Sequence, residues 1–444
     1  MLQLTSLNTV DYLASKIQDR TAKIGVVGLG YVGLPLAIAA AEEGFEVFGV
    51  DMSTDKVDLL NNGQSYVDDI PDTRLIPLVE KRRLKAFSDC DILAEADVVV
   101  ICVPTPVNKT HDPDMSYIIS ATESIAEICH PGMLVILEST TYPGTTLEVV
   151  APRLETGDLI VGVNLFIAFS PERIDPGNKH YGIQNTPKIV GGITSDCSRV
   201  AVDFYSSFID TVKPVSSTTT AETVKLLENT FRAVNIGLAN EFAIMCDKMG
   251  INVWEVIEAA STKPFGFTPF YPGPGLGGHC IPVDPHYLSW KMKTLDYRAR
   301  FIEIASEVNK EMPHHVVNRI GDVLNDMRKS IRGANIAVLG VAYKPDIMDV
   351  RESPALDVIR LLLEKGASVT YNDPRVPSIR MEHAEYKMFS TPYNTEWLAN
   401  ADCVVILTNH SNYNWQEIVD HSRMIVDTRN ATRDYKSNGN VISI

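Results

Sequence analysis

A glycine-rich turn near the N-terminus limits the possible folds more than any other segment. Residues 23–28 are a short β-branched run that predicts a buried strand. GLGYVG follows, with Gly28, Gly30 and Gly33 in a G-x-G-x-x-G spacing, then an alanine-rich helical segment, a second apolar run and Asp51. Such glycines let a pyrophosphate approach the helix start, and an acid about twenty residues later suits a ribose hydroxyl. The pattern predicts a dinucleotide site, and Asp51 favours NAD over NADP.

Further runs extend this α/β pattern, with strands predicted at residues 96–103, 133–137 and, in FIAFSPER, 166–173. Because ligands bind at the carboxyl ends of strands in a doubly wound sheet, Thr105 and Thr140 are candidates for cofactor contacts. The alternative is that each threonine only forms a turn beside proline. Lys56, shortly after Asp51, either reaches the adenosine end of the cofactor or is a solvated helix residue.

Charged residues lie at the end of the last of these runs. Glu172 could act as a general base near the nicotinamide, and Arg173 is its neighbour. The alternative for such charges at a strand end is a surface salt bridge.

A long apolar-periodic segment in the middle of the chain, residues 221–249, predicts one extended helix that joins two domains. Lys225, Asn229 and Arg232 fall on one face of that helix. Such a stripe is either a buried functional face or an exposed polar face.

The segment PGPGLGGHCIPVDP, residues 272–285, places one thiol in a frame of glycine and proline. Cys280 lies four residues before Asp284. Glycines allow a ligand to approach the backbone, and prolines fix it, so the loop suits a held nucleophile. A connector with a buried structural cysteine is the alternative.

The C-terminal part repeats the α/β pattern without the glycine motif. Residues 333–339, 367–373, 401–408 and 424–430 predict strands. Lys344 and Arg351 follow the first of them, where two cations suit a diphosphate or a carboxylate. We therefore predict an α/β chain with two Rossmann-like doubly wound domains joined by a long central helix.

Composition excludes several classes of function. The net charge of −16 argues against a nucleic-acid or anionic-membrane surface. The seven cysteines are scattered without a CxxC pair, so neither a disulfide framework nor a metal site is indicated, and a reducing cytoplasm is expected. Neither a signal peptide nor a membrane-spanning run is evident.

Six motifs occur along the chain in this order: GLGYVGLPLA, ESTTYPGT, SPERIDPGN, the Lys225/Asn229 helix, PGPGLGGHCIPVDP and YKPDIMDVRESPA. Together they resemble the UDP-glucose/GDP-mannose dehydrogenase family. The resemblance implies an NAD-binding domain at residues 1–215, a central helical dimerisation region with the cysteine loop at 216–315 and a UDP-sugar-binding domain at 316–444. It also implies a homodimer or a higher homo-oligomer.

The resemblance further implies a four-electron oxidation of a primary alcohol with two NAD, in which the Cys280 thiolate adds to an aldehyde intermediate. Lys225 would exchange a proton and stabilise the oxyanion, with Asn229 in support. Glu172 and Asp284 would position or activate water, and Thr140 would hold it. The residues that would contact NAD are Gly28, Gly30, Tyr31, Val32, Gly33, Asp51, Lys56, Thr105, Thr140 and Arg351. Those that would contact the UDP-sugar are Arg173, Ile174, Lys225, Asn229, Arg232, Gly277 and Lys344.

The segment KPFGFTPFYPGPGLGGHC resembles the branch of the family that oxidises UDP-N-acetylglucosamine at C6. UDP-N-acetylmannosamine and UDP-glucose are alternative substrates. The mannosamine branch often has His-Pro-Arg where this chain has Thr262, Lys263 and Pro264. Two other classes are a two-electron β-hydroxyacid dehydrogenase, which needs no cysteine loop, and a regulator that binds NAD and a nucleotide sugar without turnover.

Overall fold

The computed structural model describes residues 9–67, 70–108, 112–175, 178, 180–381, 387–435 and 439–444. The chain divides into two compact units. The first comprises Met1–Glu228 and His286–Asp296, and the second comprises Asn229–Pro285 and Tyr297–Ile444.

The first unit is built on an eight-stranded sheet. Its strands are β1 (Lys23–Val27), β2 (Glu46–Val50), β3 (Leu84–Phe87), β4 (Val98–Ile101), β5 (Leu134–Leu137), β6 (Phe166–Phe169), β7 (Lys188–Gly192) and β8 (Val212–Val215). Its helices are α1 (Thr9–Gln18), α2 (Gly33–Glu42), α3 (Thr54–Asn61), α4 (Asp72–Glu80), α5 (Ser116–Ile128), α6 (Ala151–Leu154) and α7 (Ser195–Ser206). A 3₁₀ turn at Asp91–Glu95 and a π-helical turn at Thr146–Val150 complete it.

The strand order is β3-β2-β1-β4-β5-β6-β7-β8, and only the β6–β7 pair is antiparallel. The order reverses between β1 and β4, so the carboxyl ends of these strands flank the crevice in which such sheets bind ligands. Strand β4 explains the continuous apolar runs, because Val98 and Val100 pack into the core on one face of the sheet and Val99 and Ile101 into the core on the other.

The long helix predicted in the middle of the chain is α8 (Thr218–Met249), with 32 residues. It begins three residues before the predicted start, because the Ser217 hydroxyl accepts a hydrogen bond from the Thr220 amide (3.1 Å) and caps the first turn. Helices α9 (Val253–Ser261), α10 (Asp284–Thr294) and α11 (Arg300–Asp326) follow.

The second unit contains a five-stranded parallel sheet in the order β10-β9-β13-β14-β15. Its strands are β9 (Asn335–Leu339), β10 (Ser368–Asn372), β13 (Cys403–Ile406), β14 (Ile425–Asp427) and β15 (Val441–Ser443), with helices α12 (Pro354–Glu364), α13 (Thr395–Asn400) and α14 (Trp415–His421). A small antiparallel pair joins β11 (Ser378–Arg380) and β12 (Lys387–Phe389). The order matches that of β2-β1-β4-β5-β6, which confirms the prediction of two Rossmann-like domains.

Within the described parts of the chain, no helix is both long and apolar enough to cross a bilayer.

Candidate functional site

The glycine turn between β1 and α2 has two kinds of glycine. Gly28 has φ +92°, and a Cβ there would lie 2.5 Å from the Cys102 carbonyl oxygen. A Cβ on Gly33 would lie 1.9 Å from the carbonyl oxygen of Gly28. A Cβ on Gly30, by contrast, would have no atom within 4 Å. Gly28 and Gly33 therefore allow the turn to pack, while Gly30 keeps its outer surface open to a pyrophosphate.

Asp51 follows β2 and braces this turn. Its Oδ2 accepts hydrogen bonds from the Leu29 amide (3.0 Å) and from Lys56 Nζ (3.1 Å), and its Oδ1 accepts one from the Ser53 amide (2.9 Å). The Tyr66 hydroxyl donates to the Leu29 carbonyl oxygen (2.7 Å). Burial raises the pKa of Tyr66 well above its ordinary value, so this hydroxyl keeps its proton. Lys56 thus pairs with Asp51. Tyr66 supports the glycine turn through its bond to Leu29, a role that the G-x-G-x-x-G motif does not predict.

The other predicted cofactor residues of the first unit lie at the carboxyl edge of the same sheet. Tyr31 is exposed and Val32 half-buried on the glycine turn, and Thr105 and Thr140 are half-buried just beyond β4 and β5. The Ser139 hydroxyl donates to the Val103 carbonyl oxygen (2.8 Å), which ties the ends of these two strands together. The open glycine, the acid and the hydroxyl groups along one edge fit NAD.

Four predicted residues of the first unit meet beyond β6. Lys225 Nζ donates to the Glu172 carbonyl oxygen (2.6 Å) and lies 3.7 Å from Glu172 Oε2. Both side chains are buried. The Glu172 carboxylate accepts a hydrogen bond from the Ile174 amide, and Arg173 forms an ion pair with Glu228. The structure therefore places a lysine against a carboxylate, an arrangement suited to proton transfer.

Glu222 is a buried residue of α8 that the sequence did not single out. Its carboxylate accepts hydrogen bonds from the amides of Gly144 and Thr146 and from the Thr146 hydroxyl. Burial raises the pKa of Glu222. These hydrogen bonds fix the loop after Thr140 to α8, one helical turn before Lys225.

In the second unit, the cysteine loop is tied to the helices around it. The Gly273 amide donates to Asn240 Oδ1 (2.9 Å), and Asn240 Nδ2 donates to Asn309 Oδ1 (2.8 Å). A Cβ on Gly277 would lie 2.7 Å from the Cβ of Tyr343. This contact explains why glycine is required where the loop crosses the segment after β9.

Cys280 is half-buried and lies at the turn that opens α10. Its carbonyl oxygen accepts hydrogen bonds from the amides of Val283 (3.0 Å) and Asp284 (2.8 Å). Asp284 accepts a hydrogen bond from Asn229 Nδ2, and both of these side chains are buried. The structure thus brings Asn229 into contact with Asp284 and places Cys280 one turn before Asp284, whereas Arg232 is exposed.

The segment after β9 carries the two predicted cations. Arg351 Nε donates to Asp349 Oδ1 (3.0 Å), one Arg351 Nη contacts His279 Nδ1 (3.2 Å), and the Arg351 carbonyl oxygen accepts from the Gly278 amide (3.1 Å). Although burial alone would raise the pKa of Asp349, its bonds with Arg351 hold that pKa below the ordinary value. Arg351 therefore braces the cysteine loop, and Lys344 lies half-buried on the same segment.

The glycine turn, the acid after β2 and the hydroxyl groups at the strand ends define a dinucleotide-dependent dehydrogenase with a second Rossmann-like domain and a cysteine loop. Three family models of the UDP-glucose/GDP-mannose dehydrogenase family match the chain: the NAD binding domain at residues 22–209, the central domain at 219–311 and the UDP binding domain at 337–434.

Individual relatives agree with these models. A UDP-N-acetyl-D-mannosamine dehydrogenase of Methanococcus maripaludis strain S2 is 37% identical over 396 residues, which cover 87% of this chain and 86% of the relative. The enzyme of the same name from Escherichia coli K12 is 36% identical over 430 residues, covering 93% and 99%. The solved structure of the UDP-D-ManNAc dehydrogenase of Pyrococcus horikoshii has a TM-score of 0.86 at 34% identity, covering 95% and 99%.

The chain therefore belongs to the UDP-glucose/GDP-mannose dehydrogenase family, as its motifs predicted. It is an NAD-dependent UDP-sugar dehydrogenase. The domain boundaries predicted after residues 215 and 315, and the roles of the individual residues, stay predictions.

Proposed function

We propose that the enzyme oxidises the C6 hydroxymethyl group of a UDP-2-acetamido-2-deoxyhexose to the carboxylate, in two successive steps. The observation that carries the proposal is the cysteine loop, where Cys280 opens α10 beside the buried pair of Asp284 and Asn229. A simple alcohol oxidation needs no nucleophile, whereas oxidation of an aldehyde needs one to give it a tetrahedral oxygen.

In the first step, C6 loses a hydride and its hydroxyl loses a proton, which leaves an aldehyde. NAD supplies the hydride acceptor in both oxidations. Lys225 is the proposed proton acceptor for the hydroxyl, and its contact with Glu172 gives that proton a route to a second group.

In the second step, the Cys280 thiolate adds to the aldehyde carbon, and the carbonyl oxygen takes up a proton to give a thiohemiacetal. Loss of a second hydride from this carbon and of the proton from its hydroxyl leaves a thioester. Water then adds to the thioester carbonyl, the carbon–sulfur bond breaks, and the acid and the thiol are released. Asp284 is suited to orient that water because it is buried and held by Asn229. Glu172 stays the alternative candidate for this role.

The identity of the sugar is proposed from the segment before Cys280. Thr262, Lys263 and Pro264 stand where the mannosamine branch often has His-Pro-Arg, so the leading candidate is UDP-N-acetylglucosamine. The names of the relatives in Methanococcus maripaludis and Escherichia coli favour a second candidate, UDP-N-acetylmannosamine.

A substrate comparison tests this choice. We expect kcat/KM to be highest with UDP-N-acetylglucosamine when both acetamido epimers and UDP-glucose are offered with saturating NAD. A preference for the manno epimer would support the second candidate. A preference for UDP-glucose would contradict both, and no oxidation of any of the three would contradict the proposed function.

Replacing Cys280 by serine tests the nucleophile. We expect formation of the acid to fall by about 10³-fold or more, since serine lacks the available thiolate, while NAD affinity is retained. Cys90→Ser is the matched control, because Cys90 is also a half-buried free cysteine but lies in the first unit, outside the proposed machinery. Acid formation at the wild-type rate by Cys280→Ser would overturn the thioester route.

We further propose that the enzyme is a homodimer that pairs through α8. Phe231, Leu238, Phe242 and Met249 are all exposed, and their spacing of seven, four and seven residues places them on one face of this helix. Light scattering is expected to give the mass of a dimer for the wild type and of a monomer for Phe231→Asp with Phe242→Asp. Met52→Asp, at an exposed methionine elsewhere, is the control. A monomeric wild type would contradict the proposed dimer.

The cytoplasmic location of the enzyme stays a prediction.

A further inference from the structure

A buried ion pair whose residues have been given no role above lies at the carboxyl edge of the first sheet. Lys188 Nζ is 2.8 Å from Glu138 Oε1, and the Tyr205 hydroxyl donates to the same oxygen. Lys188 is 6% exposed, Glu138 2% and Tyr205 0%. Replacing a buried ion pair by apolar side chains of similar volume is often neutral or stabilising, so stability alone does not account for this one.

The topology of the sheet explains how these charges come to this edge. Glu138 directly follows β5, and β7 runs antiparallel to β6, so the first residue of β7, Lys188, lies at the carboxyl end of the parallel strands. The two side chains line an open pocket, together with Val32 from the glycine turn and with Glu172, Arg173 and Ile174 after β6.

The ion pair has hydrogen-bonding capacity to spare toward this pocket. The Lys188 ion pair and the Tyr205 hydrogen bond both involve Oε1 of Glu138, and among the described residues no hydrogen bond to Oε2 is formed. Lys188 carries three N–H donors, and its partners are one carboxylate oxygen and the face of the Tyr205 ring, 5.1 Å from Nζ. The pair at the wall of this pocket therefore has one acceptor and at least one donor side by side, which complements a primary carboxamide.

The position of the pocket identifies that carboxamide. Asp51 lies at the end of β2, on one side of the glycine turn, and the pocket lies across β5, β6 and β7 on the other side. A dinucleotide that lies across the switch point with its adenosine ribose at Asp51 extends its other end toward β5. We propose that Glu138 and Lys188 bind the carboxamide of the nicotinamide, with Glu138 Oε2 accepting from its NH₂ and Lys188 donating to its oxygen. The proposal rests on NAD binding by the first unit.

The test compares equilibrium binding of NAD and ADP-ribose, which lacks the nicotinamide, to the wild type and to Glu138→Gln, Lys188→Met and the double variant. The double variant avoids leaving one buried charge unpaired, and thermal unfolding identifies the variants that are folded. We expect the Kd of NAD to rise by about 10- to 100-fold and that of ADP-ribose to stay within about twofold. The control is Lys23→Met with Glu95→Gln, a surface ion pair at the opposite end of the sheet, which should change neither Kd.

A third ligand gives a result that a misfolded variant cannot produce. Nicotinic acid adenine dinucleotide has a carboxylate in place of the carboxamide, so Glu138 should repel it in the wild type. We expect Glu138→Gln to bind this ligand more tightly than the wild type does. Equal weakening of NAD and ADP-ribose, or no weakening of either, would overturn the proposal. So would a higher KM for the UDP-sugar with unchanged NAD affinity, because the pocket would then hold the sugar.

Discussion

Replacing Asp373 by asparagine probes how the UDP-binding domain holds the segment that carries Lys344. Asp373 directly follows β10 and is buried. Its Oδ2 accepts hydrogen bonds from the amides of Val341 (2.7 Å) and Ala342 (3.1 Å) and from His410 Nε2 (3.0 Å). Its Oδ1 accepts bonds from two further amides, those of Arg375 (2.8 Å) and Val376 (3.0 Å).

His410 extends this anchor to the far end of the same segment. The Asp346 amide donates to His410 Nδ1 (3.0 Å), so Nδ1 is the acceptor of the ring and Nε2 donates to Asp373. Asp373 and His410 together therefore hold the segment on both sides of Lys344.

Asparagine has one carboxamide oxygen and one NH₂ group. Whichever way it turns, the NH₂ group faces at least two N–H donors, because each oxygen of Asp373 accepts at least two bonds. A buried donor left without a partner costs about 1–3 kcal/mol, so we expect a loss of about 2–6 kcal/mol in the free energy of unfolding. For domains of about 150–250 residues, a loss of about 4 kcal/mol lowers Tm by about 8–16 °C.

Calorimetry and steady-state kinetics measure the two consequences. We expect the melting transition of the second unit to shift by that amount, and KM for the UDP-sugar to rise while KM for NAD stays unchanged. Asp357→Asn is the control, since Asp357 is an exposed carboxylate of α12 in the same unit and should change stability by less than about 0.5 kcal/mol. A Tm drop below about 2 °C, or an equal rise in both KM values, would refute this reasoning.

The same residue gives a dependence on pH. Burial alone would raise the pKa of Asp373, but its bonds with His410 and the amides hold that pKa below its ordinary value of 3.8. A carboxyl group with a lowered pKa stabilises the fold above 3.8, and that contribution is lost as pH falls through the pKa of the folded state. Stability of the wild type should therefore fall in acid more steeply than that of Asp373→Asn.

Two further predictions concern the glycine turn and a buried histidine. Gly33→Ala should lower the Tm of the first unit in calorimetry, because its Cβ would lie 1.9 Å from the Gly28 carbonyl oxygen. Gly30→Ala, whose Cβ meets no atom within 4 Å, should keep Tm unchanged but weaken NAD binding in a titration. Burial lowers the pKa of His315 despite Asp247 nearby, so the stability of the fold should decrease as pH drops below 6.5. In His315→Gln, the free energy of unfolding should depend less on pH between about pH 7.5 and 5.5. An unchanged pH dependence in this variant would contradict the prediction.

The sequence predicted the parallel core well, because strands such as β1, β4 and β5 are buried on both faces and are continuous apolar runs. It did not predict β3, β7 or β8. Strand β8 contains an exposed lysine and proline at the sheet edge and has no apolar pattern. The charged residues that the motifs omitted depend on partners far away in the chain. Glu222 bonds to residues 76 and 78 positions earlier. Lys188 lies at the carboxyl edge of the parallel strands only because β7 runs antiparallel to β6.

Local chemistry explains why the candidate site could be predicted in part. The glycine spacing, the acid after β2 and the spacing of four residues between Cys280 and Asp284 are all short-range signals. The structure places Asp51 against the Leu29 amide of the glycine turn and Cys280 at the turn that opens α10. Burial separates residues that the helical period alone could not. Lys225 and Asn229 are buried on α8, while Arg232, three residues further on, is exposed.

The most direct measurement of the central claim is the amount of NADH formed per sugar, with limiting UDP-N-acetylglucosamine and excess NAD. The account predicts two NADH per sugar and a uronic acid as the product, since the alcohol and the thiohemiacetal each lose one hydride. One NADH per sugar with an aldehyde product would contradict it, because Cys280 would then have no part in the reaction.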